Sequence, residues 1–321
     1  MLLIQWLFCW SLFLSTFVAI SASIPLYTWA ALEVNTIAFI PMMLDPSKPE
    51  SVRAAMKYFF IQAYASLIFL VGPLLNSLPE MTIFLAMMMK LGMSPFHNWY
   101  PSVMASLNWM SAFFISTWQK IAPLWILSEN IFNSHLVAPI AALNAMIGGL
   151  GGLMQTEIRP LLAFSSIGHM GWLLFSAPLS NFILFLYFIS YSLHLMILMY
   201  LFYSSKINTP KDMSSSNSLS TQTKLVIALS LLSLGGLPPL LGFIPKLLVL
   251  MISAPLFIFP LLLMIGSYIN IYYYMSIMWV TFMTSPQPIK SVNSSNITLY
   301  LATFITSILF LTLICGLNMH L

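Results

Sequence analysis

The chain has 321 residues, of which 60% are hydrophobic and only 6% are charged. Because soluble globular domains carry about 25% charged residues, this composition excludes a soluble enzyme and indicates a polytopic membrane protein. The net charge of +4 comes from few, scattered cations, which is not the pattern of a nucleic-acid-binding surface.

Apolar stretches long enough to cross a bilayer follow one another along the whole chain. A spanning helix needs about 20 mostly apolar residues, and eleven stretches approach that length. They lie at about 3–21, 25–43, 53–76, 80–103, 106–127, 137–153, 160–177, 182–203, 224–250, 256–282 and 298–318. The sequence therefore predicts an all-α protein with about eleven transmembrane helices.

The basic residues between the spans predict the orientation. If the eleven spans alternate in direction, every loop Lys and Arg falls on the side that holds the N-terminus. These residues are Lys48, Arg53, Lys57, Arg159, Lys206, Lys211, Lys224 and Lys290. Loops rich in Lys and Arg stay on the inner side, so we expect the N-terminus inside and the C-terminus outside.

Two of the predicted spans contain residues that break helices. The span at 80–103 is interrupted by Gly92, Pro95 and Pro101, and GGLPPLLGFIPK occupies 235–246. Proline removes a backbone donor and clashes with the preceding turn. Irregular backbone at membrane depth is tolerated where it is buried in protein or lines a water-filled cavity. We therefore expect two discontinuous helices, which in secondary transporters point to the transport site.

Three lysines, Lys90, Lys120 and Lys246, lie inside predicted spans. A charge at the centre of a bilayer costs about 2.5–3.5 kcal/mol on insertion scales, so such residues usually have a function. A lysine removed from water can also gain and lose its proton near neutral pH. These residues predict proton conduction. For Lys246, which follows a break, snorkelling of the ammonium to one surface is the alternative.

Glu33 is the acidic residue predicted to lie deepest in the membrane. A carboxylate and an ammonium are each less costly there when they are paired. We therefore expect Glu33 to pair with Lys90; a static ion pair that locks two helices is the alternative. Lys120 has no acidic partner nearby in the sequence, which suits a relay that accepts and passes a proton.

Three histidines, His97, His169 and His194, are candidates for bridging the lysines through water. Histidine titrates near neutral pH, so it can accept and release a proton under physiological conditions. A purely structural hydrogen bond is an equally good interpretation of each.

Motifs for other chemistry do not emerge from the sequence. Cys9 and Cys315 form no metal-binding spacing. GGLGG at 148–152 follows no predicted strand, so it is not a nucleotide loop, and small residues there favour close helix packing. We expect no cofactor, metal or soluble small-molecule substrate to bind this chain directly.

Six motifs carry a resemblance to a known family, in the order in which that family has them. They are LEVNTIAFIPMM at 32–43, KYFFIQAYAS at 57–66, KLGMSPFHNWYPSV at 90–103, STWQKIAP at 116–123, AFSSIGHMGW at 163–172 and GGLPPLLGFIPK at 235–246. With them the chain resembles the chain 2 family of mitochondrial NADH:ubiquinone oxidoreductase, an antiporter-like membrane subunit of respiratory complex I. It departs from that pattern at Met154 and Pro160, where Asn and Lys are more usual.

The resemblance implies a single antiporter-like transmembrane domain over 1–321. Its two inverted half-bundles would lie at about 1–127 and about 137–282, followed by a C-terminal helix at about 298–318. In this family pattern Glu33 and Lys90 form the charge pair, Lys120 is the central relay, and Lys246 is the lysine of the second half.

The resemblance also implies the function. The chain would be a core subunit of proton-pumping NADH:ubiquinone oxidoreductase in the mitochondrial inner membrane, with its N-terminus in the matrix and its C-terminus in the intermembrane space. It would belong to an enzyme without a redox centre of its own, because FMN, iron–sulfur clusters and ubiquinone are expected in other subunits. Its partners would be other membrane-arm subunits and lipids, with cardiolipin a candidate.

Two other functions stay open from the sequence. One is a stand-alone cation/proton antiporter of the same architecture, for which more intramembrane carboxylates than Glu33 would be expected. The other is a structural membrane subunit whose charges only hold helices together.

Overall fold

The computed structural model describes residues 2–45, 48–72, 79–130, 134–215, 221–238, 240–253 and 258–282. Within these ranges the chain forms fourteen α-helices, and the predicted all-α class is confirmed. They are α1 (Leu2–Ser21), α2 (Pro25–Met43), α3 (Pro49–Val71), α4 (Pro79–Leu91), α5 (Trp99–Ser106), α6 (Trp109–Ser116), α7 (Trp118–Asn130), α8 (Ser134–Leu153), α9 (Ile158–Ser176), α10 (Asn181–Ser205), α11 (Pro210–Ser215), α12 (Thr221–Gly235), α13 (Phe243–Ile252) and α14 (Ile258–Phe282).

Each of the first ten predicted spans coincides with one of these helices or with two consecutive ones. Within the part of the chain that the structure describes, four helical stretches have both the length and the hydropathy to cross a bilayer: Pro49–Val71, Leu136–Leu153, Asn181–Ser205 and Ile258–Phe282. The eleventh predicted span, at 298–318, lies outside the described residues. The number of crossings therefore stays a prediction.

Local sequence explains several helix ends. Proline, whose fixed φ suits the first turn, begins α2 at Pro25 and α3 at Pro49. Ser180 caps α10 by accepting a hydrogen bond from the backbone N–H of Ile183 at 3.2 Å. At its other end, α10 stops where Lys206 adopts a left-handed conformation with a φ of 54°.

The first break, residues 92–98, separates α4 from α5. Gly92 has a φ of +67°, which is easily reached only by glycine. The N–H of Met93 then donates to the carbonyl of Met88 at 3.0 Å. This combination is a Schellman turn, the usual way in which a left-handed residue ends a helix.

The second break, residues 236–242, separates α12 from α13 and begins in the same way. Gly236 has a φ of +84°, and the N–H of Leu237 donates to the carbonyl of Leu232 at 3.3 Å. The same turn therefore ends both α4 and α12, one in each half of the chain.

Small residues bring α8 into backbone contact with α9 and α14. A Cβ atom added to Gly148 would lie 2.5 Å from the backbone nitrogen of Gly168. One added to Gly266 would lie 2.5 Å from the carbonyl oxygen of Ala145. Only glycine fits at these positions. Close backbone approach through small residues is how helices associate in membranes, so these three helices form a tight group.

Candidate functional site

Lys90 occupies the last turn of α4, directly before the first break. Its side chain is only 6% exposed, and its Nζ atom is buried without a hydrogen-bond partner. The carbonyl of the same residue accepts a hydrogen bond from Gln62 Nε2 of α3 at 3.2 Å. The backbone of Lys90 is therefore fixed while its ammonium remains available.

Lys120 lies in the first turn of α7 and is 2% exposed. Its Nζ atom also has no hydrogen-bond partner. It lies 4.9 Å from the ring centroid of Tyr100 and 5.6 Å from that of Tyr191. Aromatic faces attract a cation by about 0.5–2 kcal/mol, but they leave the ammonium free to bind water.

Lys90 and Lys120 line the same cavity, whose volume is about 20 Å³. A space of that size holds roughly one or two water molecules. The cavity has polar walls contributed by Asn35, Thr36, Tyr58, Gln62, Tyr100 and Gln119. The two buried lysines therefore share one water-sized space with polar walls, and an ordered water can bridge two polar groups.

Three of these polar side chains, Asn35, Tyr58 and Gln119, are linked by hydrogen bonds. Gln119 Nε2 donates to Asn35 Oδ1 at 3.2 Å, and the Tyr58 hydroxyl donates to Gln119 Oε1 at 3.4 Å. The bonds connect α2, α3 and α7 around the cavity. Sequence reasoning missed these residues, although Asn35 follows Glu33 by two positions and Gln119 directly precedes Lys120.

Glu33 is half-buried on α2, and its carboxylate accepts hydrogen bonds from two hydroxyl groups. Ser66 of α3 donates to Oε1, and Thr36 donates to Oε2 at 3.3 Å. The ammonium of Lys90 makes no hydrogen bond to Glu33. The expected direct pair is therefore absent from this conformation, because hydroxyl groups satisfy the carboxylate instead.

Lys246 lies in the first turns of α13, after the second break. It is 3% exposed. Its Nζ atom donates to the carbonyl of Gly235 at 2.6 Å and lies 5.8 Å from the ring centroid of Trp172. The ammonium points to the interior of the helix group, so the snorkelling alternative does not describe this conformation.

His169 is buried on α9 beside Tyr187 and Tyr191. Its Nδ1 atom is 2.9 Å from the hydroxyl of Tyr187, and its Nε2 atom is buried without a partner. Its ring centroid lies 5.0 Å from that of Tyr191, the ring that Lys120 also faces. His169 and Lys120 therefore contact the same tyrosine ring, and Tyr187 stacks on Trp172, the ring that Lys246 faces.

The other two candidate histidines are placed differently. Nδ1 of His194 lies 2.6 Å from the carbonyl oxygen of Ser190, one turn earlier in α10, which fits a structural hydrogen bond. His97 lies in the first break and is half-exposed, and it is not among the residues that line the cavity. Of the three, His169 has the surroundings that suit a relay.

The arrangement as a whole suits the movement of protons. Two ammonium groups share one water-sized cavity, and a third lies across a layer of buried aromatic rings and His169. Among the described residues, His, Cys, Asp and Glu side chains do not gather in groups of three or more that could hold a metal ion.

Comparison with known proteins bears on the family. Residues 72–271 match the family model described as NADH:quinone oxidoreductase/Mrp antiporter, transmembrane. In the solved structure titled respiratory complex I from Thermus thermophilus with bound Aureothin, one chain superposes with a TM-score of 0.83 at 24% identity, over 97% of this chain and 77% of that one. At that identity the likeness supports the fold.

Two relatives match over most of the length of both chains. The NADH-ubiquinone oxidoreductase chain 2 of Lumbricus terrestris is 36% identical over 300 residues, 89% of each chain. That of Locusta migratoria is 37% identical over 284 residues, 84% of this chain and 83% of that protein. The fold, the cavity and these relatives agree, and the chain belongs to the NADH-ubiquinone oxidoreductase chain 2 family.

Proposed function

We propose that this chain is a proton-translocating membrane-arm subunit of NADH:ubiquinone oxidoreductase, respiratory complex I. The relatives carry that enzyme's name. One observation carries the mechanism: Lys90 and Lys120 are both buried, both lack hydrogen-bond partners, and both line one water-sized cavity. A structural role alone gives no reason to bury two unpartnered ammonium groups side by side.

The topology follows the sequence pattern. The chain crosses the mitochondrial inner membrane eleven times, with the N-terminus in the matrix and the C-terminus in the intermembrane space. Its half-bundles, about 1–127 and about 137–282, are inverted repeats, each with one discontinuous helix; the C-terminal helix expected at about 298–318 lies outside the described residues. The shared turn at the two breaks supports the repeat, and the one-sided distribution of loop cations supports the orientation.

The Glu33–Lys90 pair is the element that switches. In the present conformation Glu33 binds the hydroxyls of Ser66 and Thr36; in the alternative it releases them and binds Lys90. At an effective dielectric constant of 20, a pair of unit charges at 4 Å interacts with about 4 kcal/mol. Moving one charge against 100 mV requires about 2.3 kcal/mol, so opening or closing this pair is large enough to drive a proton.

The proton then passes from the cavity to the second half of the chain. Lys120 receives it through water and releases it towards His169, whose unpartnered Nε2 atom accepts it in the tautomer that donates from Nδ1 to the hydroxyl of Tyr187. Lys246 is the final acceptor within the chain. For Lys246 to pass a proton on, its bond to the carbonyl of Gly235 must open.

The redox chemistry belongs to other subunits, which hold FMN, the iron–sulfur clusters and ubiquinone. This chain contacts other membrane-arm subunits and lipids, with cardiolipin a candidate. A native gel stained for NADH oxidation and probed for this chain tests the assembly. Migration of the chain apart from any NADH-oxidising band would favour the stand-alone antiporter.

Lys120→Ala tests the relay. We expect the enzyme to assemble and oxidise NADH, but to pump fewer protons per electron in sealed vesicles, because one path has lost its central carrier. Lys57→Ala, at an exposed lysine of α3, is the matched control and should leave the ratio unchanged. A normal proton-to-electron ratio in assembled Lys120→Ala enzyme would contradict the relay and favour a structural role.

A further inference from the structure

Asn144 of α8 is fully buried, and both ends of its amide are used. Its Oδ1 atom accepts a hydrogen bond from the backbone N–H of Ser94 at 2.7 Å. Its Nδ2 atom donates to the carbonyl of Ile140, one turn earlier in α8, at 2.8 Å. Ser94 lies in the first break, four residues after Lys90, so Asn144 ties the break to the second half of the chain.

The first break depends on such a partner. The N–H of Ser94 bonds to the side chain of Asn144 and not to a carbonyl of its own segment, and in a membrane interior no bulk water replaces a lost partner. Without Asn144 the segment would have to move to find another acceptor. Because α4 ends at Leu91, directly after Lys90, that movement would also shift the turn that carries the ammonium.

The helix turn that carries Asn144 is packed closely against α9 and has little room to move. A Cβ atom on Gly171 of α9 would lie 2.5 Å from the carbonyl oxygen of Ala141 and 3.3 Å from the Cβ of Asn144. The backbones of α8 and α9 are therefore in contact at the turn that carries Asn144. His169 lies two residues before Gly171, so the break after Lys90 is fastened to the same helix pair that carries the candidate relay histidine.

We propose that Asn144 is a positioning residue: it holds the first break against the α8–α9 pair and so keeps the ammonium of Lys90 at the cavity that Lys120 shares. The proposal rests on the proton-transfer function given above. Asn144 does not itself carry the proton, because a carboxamide does not take up a proton near neutral pH; its oxygen and its nitrogen each hold a backbone group.

Two variants and one control test this in the assembled enzyme. Asn144→Leu removes the acceptor at similar volume, whereas Asn144→Asp keeps an oxygen for Ser94. Asn130→Leu is the control, since the amide of Asn130 bonds one turn back to Ile126 in the same way but is on α7, away from the break. Hydrogen exchange of the amides in 92–98 and the proton-to-electron ratio are measured for each.

We expect Asn144→Leu to speed exchange in 92–98 by about tenfold, the equivalent of one lost hydrogen bond, and to lower the ratio towards that of Lys120→Ala. Asn144→Asp should restore slow exchange, and Asn130→Leu should change neither quantity. Unchanged exchange in Asn144→Leu, or an equal change in Asn130→Leu, would overturn the proposal. If Asn144→Leu does not assemble, Asn144→Ser replaces it, since its shorter side chain also loses reach to Ser94.

The two proposals fail in different ways. If Lys120→Ala pumps normally, the relay is wrong, whatever Asn144 does. If Lys120→Ala lowers the ratio while Asn144→Leu leaves both exchange and ratio at their original values, the relay stands and the positioning role of Asn144 is wrong.

Discussion

The two breaks begin with the same turn but use their lysines differently. Lys90 precedes its break and its ammonium has no hydrogen-bond partner. Lys246 follows its break, and its ammonium donates to the carbonyl of Gly235, the residue directly before Gly236, which opens the turn. The backbone geometry is thus repeated, while the electrostatic state of the lysine is not.

This difference assigns different properties to the two halves. An ammonium that lines a water-sized cavity without a hydrogen-bond partner is free to respond to a change of charge nearby. An ammonium bound to a carbonyl must first lose that bond, so its response has a threshold. The first half is therefore suited to sensing a change in charge, and the second to holding a proton until a larger change arrives.

The largest expected effect is a contrast in stability between Lys90→Met and Lys246→Met. Both variants should lose proton transfer. Lys90→Met removes a buried polar group without a partner, so the assembled enzyme should become no less stable. Lys246→Met leaves the carbonyl of Gly235 unpaired, which should cost about 1–3 kcal/mol. Thermal dissociation of the purified enzyme measures both, and equal destabilisation would remove the contrast between the two lysines.

The glycines that open the breaks give the next contrast. A left-handed conformation costs an L-residue about 1–2 kcal/mol, so Gly92→Ala and Gly236→Ala should both destabilise. A Cβ on Gly236 would lie 2.8 Å from Nζ of Lys246, whereas one on Gly92 would meet Cβ of Tyr100 at 2.9 Å.

A double-mutant cycle separates these causes. Gly236→Ala should cost less in a Lys246→Ala background, because the clash with the ammonium is gone. Gly92→Ala should cost the same with and without Lys90→Met. Thermal stability of the six assembled variants, three at each break, decides, and additivity at both breaks would show that Lys246 does not fill the space beside Gly236.

The substitution Gln119→Leu tests whether the cavity serves the first half of the chain and not the Lys246 site. This change removes the bonds to Asn35 and Tyr58 and makes one wall apolar, so water is held less well. We expect proton transfer to slow by about tenfold, the equivalent of roughly one hydrogen bond, with the Lys246 site unaffected. Gln155→Leu, at a partly buried glutamine after α8, is the control. Flux measurements in vesicles that find both variants alike would argue against the cavity as the route.

The smallest expected effect is on the segment 206–212, which Arg159 links to the end of α5. Arg159 donates to the carbonyls of Ala105 and Leu107, at the end of α5, and to Oδ1 of Asn208. The N–H groups of Thr209 and Asn208 bind the Asp212 carboxylate and hold its pKa below the ordinary value.

A lowered pKa means that the carboxylate stabilises the folded loop above its unfolded pKa, about 3.9, and that this stabilisation is lost as pH falls through the lower folded value. Asp212→Asn should therefore speed hydrogen exchange in 206–212 modestly at neutral pH. The difference from the unaltered chain should shrink below about pH 3.9 and disappear once the pH has fallen below the folded pKa of Asp212. A difference that persists in strong acid would mean that the charge of Asp212 is not its cause.

Much of the fold was readable from the sequence because apolar length, proline and glycine each act locally. Pro25 and Pro49 begin helices, and Gly92 and Gly236 end them, as their φ preferences dictate. The eleventh span falls outside the described residues, and the count of crossings stays a prediction.

The site was less predictable because its details depend on contacts between distant helices. The burial of three lysines could be read from their apolar neighbours, but the hydroxyl of Ser66, 33 positions away, could not be foreseen as a partner of Glu33. Asn144 was missed for the same reason: a single amide in an apolar helix has no meaning in the sequence until its partner, 50 positions away, is known.

The close glycine contacts between α8 and α9 affect how a mutational scan of this chain would be interpreted. Alanine at Gly148 or Gly171 would force backbone atoms 2.5 Å from a methyl group, a distance that no side-chain adjustment relieves. These positions should be as intolerant of change as Lys120, although they never touch a proton. Intolerance alone will therefore not trace the proton path in such a scan; variants that assemble but fail to pump will.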